Sequence, residues 1–342
     1  MCKKVLVLGG TGAMGKYVVP ELLKMGYRVD VLSLDDMISE NPMLKYIKGN
    51  IQDPGLLDSL LKNNYNGIID FMTYNTSGFK SVYKKFLDNT EHYIFLSSCR
   101  VYANEPPITE DTPRLLDVST DQAFLATDDY ALYKAREENM LFDSLYKNWT
   151  VVRPATTYST GRFQLVTLEA PTLIHRMQTG KTIVLPEPAM ECQATLSWGG
   201  DVGVMIARVL FNEQAYGESY NVATAEHHSW KEIAEIYNSI VPFKYVTVSV
   251  EDYLDIIAEG ADYAKYQLIY ARMFQRITDN SKILALTGMK QSELMTLEDG
   301  LKYEYEKSKN IDFSVYANDY RNVRMDDYLR RNKICSCLQE DK

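Results

Sequence analysis

The sequence predicts an α/β fold: a doubly wound parallel sheet covered by helices, with a smaller and mostly helical lobe beside it. In the first half, short apolar runs alternate with amphipathic stretches, as strands and helices do when they follow one another. The first apolar run ends in glycines, and beyond about residue 222 the alternation gives way to helical segments rich in tyrosine. We therefore expect residues 1–160 with 198–221 to form the sheet domain and residues 161–197 with 222–342 to form the smaller lobe.

The individual elements follow from the apolar pattern. The predicted strands are short apolar runs, typical of strands buried within a parallel sheet, and in chain order they are KVLVLGG, RVDVLSL, LKYIKGN, GIIDFM, HYIFLSS and WTVVRP. The predicted helices repeat apolar residues every three or four positions, and they are GKYVVPELLKMG, GLLDSLLKNN, FKSVYKKFLDN and a segment over about residues 128–146. Gly26 is expected to end the first of these helices, because glycine tolerates the left-handed conformation that closes many helices.

Composition and charge exclude several classes of protein. The net charge of −9 argues against a general binder of nucleic acids or anionic membranes, which needs clustered cations. No uncharged apolar run approaches the roughly 18 residues of a membrane helix, so we expect no membrane segment. The five cysteines show no disulfide framework, which favours a reducing compartment, the cytoplasm. Cys335 and Cys337 have no second ligand pair nearby, so we predict no metal site.

The first predicted strand runs into a glycine-rich turn, VLVLGGTGAMG, and then into a helix. Gly9 permits a sharp turn, Gly12 allows the backbone to approach a pyrophosphate, and Gly15 allows the helix to pack against the strand. A diphosphate would lie on the free amides at the helix N-terminus, where the helix dipole favours anions. In this strand-turn-helix context the pattern predicts a Rossmann domain that binds a dinucleotide; the alternative is a glycine turn that serves packing only.

The end of the second predicted strand, VLSLDDM, bears on which nicotinamide cofactor binds. Ser33 occupies the position at the strand end, and Asp35 and Asp36 follow it. No cation lies between Val29 and Met37, so the 2′-phosphate of NADP would meet carboxylates without a positive partner. We therefore predict NAD as the cofactor.

Tyr130 and Lys134 are four residues apart in a predicted helix, and by themselves they are an ordinary pair on one helical face. Further segments follow in order: GGTGAMG, KGNIQD, FLSSCRVYANEPPITEDTP, VVRPATTYSTG, YNVAT and ITDNSKILALTG. With these segments the chain resembles the extended short-chain dehydrogenase/reductases, the family of NAD-dependent nucleotide-sugar epimerases and dehydratases. The similarity covers nearly the whole sequence.

The resemblance implies a catalytic Ser98, Tyr130 and Lys134. The tyrosine would be the acid/base, the serine would hydrogen-bond the reacting oxygen, and the lysine would hold the nicotinamide ribose. A free phenol loses its proton only near pH 10, and the ammonium of Lys134 together with the positive nicotinamide ring would favour the phenolate.

The resemblance also implies the cofactor site. The matching positions, in addition to Tyr130 and Lys134, are Gly9, Thr11, Gly12, Ala13, Met14, Gly15, Ser33, Asn50, Ile51, Phe71, Met72, Thr73, Ala155 and Thr156. Two stretches depart from the family pattern: Asn50 replaces the usual aspartate near adenine, and the bulky FMTYN replaces small residues.

The residues after Ser98 indicate which reactions of the family remain possible for this chain. Dehydratases of the family carry an Asp-Glu pair there, whereas this chain has Cys99 and Arg100, which argues against dehydration. Arg100 either reaches a substrate anion or pairs with a loop carboxylate. The remaining predicted substrate-binding residues, which would clamp a diphosphate unless they are ordinary surface residues, are Arg162, Arg176, Arg272 and Arg276.

The resemblance implies an NAD-dependent oxidoreductase or epimerase that acts on a nucleotide-linked sugar, assembled as a homodimer. Two alternatives stay open. One is a net reductase of a nucleotide-linked or small carbonyl substrate. The other is a non-catalytic dinucleotide-sensing protein that kept the fold and lost turnover.

Overall fold

The computed structural model describes residues 2–258 and 262–334. Its strands, in chain order, are β1 (Lys4–Leu8), β2 (Arg28–Ser33), β3 (Leu44–Lys48), β4 (Gly67–Asp70), β5 (His92–Leu96), β6 (Trp149–Pro154), β7 (Thr156–Tyr158), β8 (Gln164–Leu165), β9 (Leu168–Glu169), β10 (Ile183–Pro186), β11 (Gln193–Ala194), β12 (Leu196–Trp198), β13 (Glu218–Val222), β14 (His228–Ser229) and β15 (Tyr245–Val248). Seven of them form one parallel sheet in the order β13-β6-β5-β4-β1-β2-β3. The predicted doubly wound parallel sheet is confirmed.

The helices, in chain order, are α1 (Gly15–Lys24), α2 (Pro54–Leu61), α3 (Thr76–Asp88), α4 (Leu115–Val118), α5 (Gln122–Leu125), α6 (Tyr130–Phe142), α7 (Ala170–Gln178), α8 (Gly199–Val209), α9 (Trp230–Ile240), α10 (Val250–Ile257), α11 (Asp262–Gln267), α12 (Ser281–Thr287), α13 (Leu297–Ser308) and α14 (Tyr320–Arg331). Helix α6 is shorter than the predicted 128–146. It begins at Tyr130 because the carboxylate of Asp129 accepts a hydrogen bond from the amide of Ala131 at 2.9 Å and caps the helix.

The sheet is buried on both faces, which explains its continuous apolar strands. Alternate residues of β1 point to opposite sides. Val5 and Val7 belong to the apolar cluster that includes Val202 of α8. Leu6 and Leu8 belong to the cluster on the other face, with Phe79 of α3. The strand order reverses at β1 and β4, so their carboxyl ends open the crevice in which doubly wound proteins bind ligands.

A third apolar cluster is built from residues that follow β6 in the chain, beginning with Tyr158. It joins Leu173 of α7, Trp230 of α9 and Tyr253 of α10, all fully buried. Ile283 of α12 and Leu294 pack instead against the sheet, so part of the C-terminal segment covers the sheet domain. In the part of the chain that the structure describes, no helix is both long and apolar enough to cross a membrane.

A buried carboxylate joins α13 to the sheet domain. Glu304 is fully buried and accepts hydrogen bonds from Trp198 Nε1 at 2.7 Å, from Thr160 Oγ1 at 2.6 Å and from the hydroxyl of Tyr17 in α1. Three donors satisfy the carboxylate, which makes its burial tolerable. This contact fixes α13 against the helix that follows the glycine turn.

Candidate active site

A cavity of about 370 Å³ lies at the carboxyl ends of β1, β4, β5 and β6, between the sheet and the C-terminal segment. The sheet side contributes the glycine turn, Phe71, Thr73, Ser98 and Tyr130. Arg100 lies beside Tyr130 on this side. The other wall contributes three arginines and several uncharged polar residues, and the lining there includes Thr156, Arg162, Gln164, Glu169, Thr195, Trp230, Gln267, Arg272, Arg276 and Thr278.

The glycine turn has the geometry that its sequence predicts. Gly9 has φ +73°, a conformation that L side chains rarely adopt. A Cβ on Gly15 would lie 2.5 Å from the backbone of Gly10, so only glycine allows α1 to start this close to the strand. The first turn of α1 carries no acidic side chain, and the residues at its start, Gly12 to Gly15, line one end of the cavity. These features fit an anionic diphosphate.

Ser33 lies at the end of β2, where Thr11 of the turn contacts it. The two hydroxyl oxygens are 2.7 Å apart, within hydrogen-bond distance. The Ser33 hydroxyl donates to Asp35 Oδ2 at 3.2 Å. Asp36 pairs with Lys48 at 3.0 Å in an exposed ion pair. Lys48 was not expected here from the sequence; it arrives because β3 pairs with β2 in a register that places it opposite Ser33.

Ser98 and Tyr130 line the same cavity from different elements. Ser98 caps the short 3₁₀ turn Cys99–Val101, and its oxygen accepts a hydrogen bond from the amide of Arg100 at 3.1 Å. Its hydroxyl proton therefore stays available for another acceptor. Tyr130 is the first residue of α6, is half-buried and lines the cavity, and its ring packs edge-on against Tyr133.

Lys134 is buried one helical turn below Tyr130. Its ammonium lies 3.0 Å from Glu137 Oε2 and 4.6 Å from the ring centroid of Phe95. The ammonium and the carboxylate form a buried ion pair that is not aligned for hydrogen bonding, and one such partner leaves donors of the ammonium without an acceptor. A buried donor without an acceptor is costly unless a ligand supplies one, which fits a bound ribose.

Two buried carboxyl groups flank this lysine. Burial raises the pKa of Glu137 to about 8, although the charge of Lys134 acts in the opposite direction. Burial also raises the pKa of Asp70 to about 6, against the hydrogen bonds that it accepts from the amide of Met72 and from the hydroxyl of Tyr93. The positive charge of Lys134 thus faces carboxyl groups from β4 and from its own helix.

The arginines of the cavity repel one another. Burial lowers the pKa of Arg272 to about 9, and the charges of Arg100 and Arg276 contribute. Burial lowers the pKa of Arg276 to about 10. Arg272 donates to Thr156 Oγ1 at 3.0 Å and to Gln164 Oε1 at 3.1 Å, while its Nε has no partner. Because Arg stays protonated in proteins, this wall is positively charged.

Arg272 owes its position to an irregular helix. Residues Leu268–Arg272 form a π-helical turn directly after α11. Such turns are frequent at functional sites because the extra residue redirects side chains. Here the turn places Arg272 and Ala271 in the cavity lining.

Several predicted site residues lie elsewhere. Arg176 is fully buried in α7 and donates to the carbonyl of Thr182 and to Asp326, so the structure does not bring it to the cavity. Asn50 is exposed, and its side-chain oxygen accepts from the amide of Gln52. The remaining predicted residues outside the cavity lining are Thr11, Ser33, Ile51, Met72 and Lys134. Cys335 and Cys337 lie outside the described residues.

Sequence reasoning missed Gln164, Thr195, Trp230, Gln267 and Thr278. They come from β8, β11–β12, α9 and the segments around the π-helical turn. No local pattern marks them, because each is an ordinary residue that only the packing of the lobe brings to the cavity.

A sequence model of the NAD dependent epimerase/dehydratase family matches residues 5–223. The chain belongs to this family. The match extends over the sheet domain and includes the glycine turn, Ser98, Tyr130 and Lys134. It confirms the resemblance drawn from the sequence.

Two curated relatives align with parts of the chain. One is a UDP-glucose 4-epimerase of Lactobacillus helveticus, 32% identical over 135 residues, which are 32% of this chain and 40% of that protein. The other is the chloroplast stem-loop binding protein of 41 kDa b of Arabidopsis thaliana, 23% identical over 252 residues, 68% of this chain and 62% of that protein. The matches cover less than two thirds of the length of either relative.

Solved structures share the fold over most of the chain. An epimerase from Methanothermobacter thermautotrophicus superposes with a TM-score of 0.70 at 18% identity and covers 93% of this chain and 95% of that one. A UDP-glucose 4-epimerase from Thermus thermophilus, solved in complex with NAD, has a TM-score of 0.65 at 15% identity and covers 90% of this chain and 100% of its own. At such low identity these similarities establish the fold alone.

Proposed function

We propose that this protein is an NAD-dependent oxidoreductase that epimerises a nucleotide-linked sugar through Ser98, Tyr130 and Lys134. One observation carries the proposal: the glycine turn, Ser98 and Tyr130 line a single cavity together with Arg100 and Arg272. Lys134 lies one helical turn from Tyr130, and its Nζ, 3.0 Å from Glu137 Oε2, has no aligned hydrogen-bond acceptor. Donors of this kind fit the oxygens of a ribose and of phosphates.

The residues have distinct roles in this proposal. Tyr130 removes the proton of a sugar hydroxyl, and Ser98 donates a hydrogen bond to the same oxygen. A bound NAD would supply the acceptor for the hydride of the carbinol carbon. Lys134 donates hydrogen bonds to the nicotinamide ribose, from an ammonium that the protein pairs with Glu137 alone. The glycine turn, with Gly9, Thr11, Gly12, Ala13, Met14 and Gly15, holds the diphosphate of the cofactor.

The nucleotide diphosphate of the substrate would bind the opposite wall. Arg162, Arg272 and Arg276 line it. Guanidinium groups bind phosphate oxygens in pairs, and a dianion would offset the burial and the neighbouring positive charges that lower the pKa of Arg272. Residues 161–197 with 222–342 would then be the substrate-binding lobe of the protein, and residues 1–160 with 198–221 the cofactor domain.

Burial of Cys99 and Cys192, neither in a disulfide, supports a reducing compartment such as the cytoplasm. Burial raises the pKa of Cys99 to about 12, which keeps it a thiol. We also propose that the protein forms a homodimer, by analogy with the family. The net charge of −9 weighs against carrying over the stem-loop binding that the name of the Arabidopsis relative states.

The cofactor preference is testable by thermal unfolding. At equal concentration NAD is expected to raise the melting temperature more than NADP, because a 2′-phosphate at the end of β2 would face Asp35 while Lys48 is already paired with Asp36. At 100 times its dissociation constant a ligand stabilises the folded state by about 2.7 kcal/mol. The variant Asp35→Asn should show a smaller difference between the melting-temperature shifts caused by NAD and NADP. A larger shift with NADP than with NAD in the parent protein would reverse the cofactor assignment.

The reaction is testable with a panel of UDP-, dTDP-, GDP- and CDP-sugars, followed by product mass and by absorbance at 340 nm. Epimerisation predicts a product of unchanged mass with no net use of NADH. Net consumption of NADH would establish the reductase alternative. A protein that binds NAD but turns over no member of the panel would support the dinucleotide-sensing alternative.

A further inference from the structure

Arg100 differs from the other arginines of the cavity in its position. Arg162, Arg272 and Arg276 come from the substrate-binding lobe proposed above, whereas Arg100 follows Ser98 by two residues. Its guanidinium carbon lies 5.0 Å from the ring centroid of Tyr130. The charge therefore stands at the reacting end of the cavity, beside the two groups that would handle the sugar hydroxyl.

The charge of Arg100 is incompletely satisfied by the protein. One terminal nitrogen donates to Asp129 at 3.4 Å, a long hydrogen bond for a charged pair. Its Nε is buried and has no partner. Arg272 and Arg276 are also close enough for their pKa values to be affected by its charge. Among the described residues, Glu169 is the one carboxylate in the cavity lining, and it lies at an exposed position.

We infer that Arg100 binds a carboxylate on the sugar ring, so that the preferred substrate is a nucleotide-linked sugar acid rather than a neutral sugar. This inference rests on the proposed function. On the opposite wall Arg162 and Arg272 would bind a diphosphate, since the terminal nitrogens of Arg276 already donate to the carbonyls of Tyr102 and Tyr270. Arg100 is a further arginine, beside Tyr130. A guanidinium presents pairs of N–H donors that match the two oxygens of a carboxylate, and the partly exposed Arg100 side chain lies in the cavity lining.

A site built around a free charged donor also discriminates against a substrate that lacks the partner, because the donor then stays buried and unpaired. Arg100 is in this sense a specificity-determining residue. The neutral hydroxymethyl group of a hexose accepts a hydrogen bond but does not neutralise the charge.

The test compares matched pairs, UDP-glucose with UDP-glucuronic acid and GDP-mannose with GDP-mannuronic acid, in NAD-loaded protein. The acid of at least one pair is expected to have kcat/KM and affinity higher than its neutral partner by about 30-fold or more. Arg100→Gln should bring that ratio close to one, and Arg100→Lys, which keeps the charge without the fork, should retain part of it.

Arg162→Gln is the matched control, since it removes a cavity arginine from the opposite wall. It should weaken binding of the acid, the neutral sugar and free UDP alike, whereas Arg100→Gln should leave the affinity for free UDP nearly unchanged. Equal responses to both members of each pair, or a loss of UDP affinity in Arg100→Gln, would refute the inference. If the inference is refuted but the protein still turns over neutral nucleotide sugars, the proposed function stands. If the protein does not bind NAD, both the proposed function and the inference about Arg100 are refuted.

Discussion

Replacing Tyr130 with phenylalanine is expected to lower turnover by about 10²- to 10⁴-fold, the usual contribution of a positioned acid or base. The phenol lies in the cavity lining with Ser98, and phenylalanine keeps the ring that packs against Tyr133 and Arg100 while it removes the hydroxyl. Affinity for NAD should change little. The measurements are kcat on the sugar identified by the panel and the NAD-induced shift in melting temperature.

Tyr133→Phe is the matched control for this experiment. It makes the same chemical change three residues further along α6, on a ring 5.3 Å from that of Tyr130, and Tyr133 does not line the cavity. Its kcat should stay within a few-fold of the parent protein. Comparable rates in Tyr130→Phe and Tyr133→Phe would remove Tyr130 from the mechanism.

Replacing Glu138 with alanine is expected to destabilise the fold by about 3–5 kcal/mol, the cost of removing one partner of a buried ion pair. The fully buried Glu138 accepts hydrogen bonds from Arg153 at 2.8 Å through both of its oxygens, and from Arg114 at 3.1 Å and Ser97 at 2.6 Å. Without it, the charge of Arg153 stays buried with no carboxylate opposite. Urea unfolding of the variant measures the loss.

The control is Glu306→Ala, because Glu306 forms an exposed ion pair with Lys309 at 2.6 Å. Exposed pairs contribute about 0–1 kcal/mol, so this variant should unfold almost as the parent does. A loss in Glu138→Ala no larger than in Glu306→Ala would show that the buried pair does not stabilise the fold.

The pH dependence of stability follows from the same carboxylate. Burial alone would raise the pKa of Glu138, but the charge and hydrogen bonds of Arg153, with Ser97 and Arg114, lower it below the usual 4.5. A carboxyl group whose pKa is lowered by folding stabilises the protein above its unfolded pKa and loses that contribution as the pH falls through the folded one. The gap in stability between the parent and Glu138→Ala should therefore be full at pH 7 and shrink below about pH 4.5.

Local sequence was sufficient for the elements of the sheet domain. The apolar runs and the glycine turn lie next to one another in the chain, and a strand, a sharp turn and a helix start are decided by neighbouring residues. Helix α6 shows the limit of this reasoning: the Asp129 cap delays its start to Tyr130. Spacing and resemblance predicted Tyr130 and Lys134 as site residues, but they did not predict the burial of Lys134 against Glu137.

The arginines show what spacing cannot decide. Arg176 and Arg272 are both buried arginines beyond the sheet domain, yet Arg176 binds a backbone carbonyl and Asp326, and Arg272 faces the cavity. The sequence next to Arg176 or Arg272 does not indicate which of the two arginines lines the cavity. The difference arises because the π-helical turn redirects Arg272 and because α14 supplies Asp326 to Arg176.

By itself the sequence determined the sheet, the turn and the family, since these depend on periodicity and on glycines within a few residues of each other. Only the tertiary structure decided which distant side chains share a cavity. Strand order brings the ends of β1, β4, β5 and β6 to one edge, and the lobe places Arg272 and Arg276 opposite Tyr130 across more than 100 residues of chain. Contacts between residues so far apart are set by packing and burial, which local patterns do not encode.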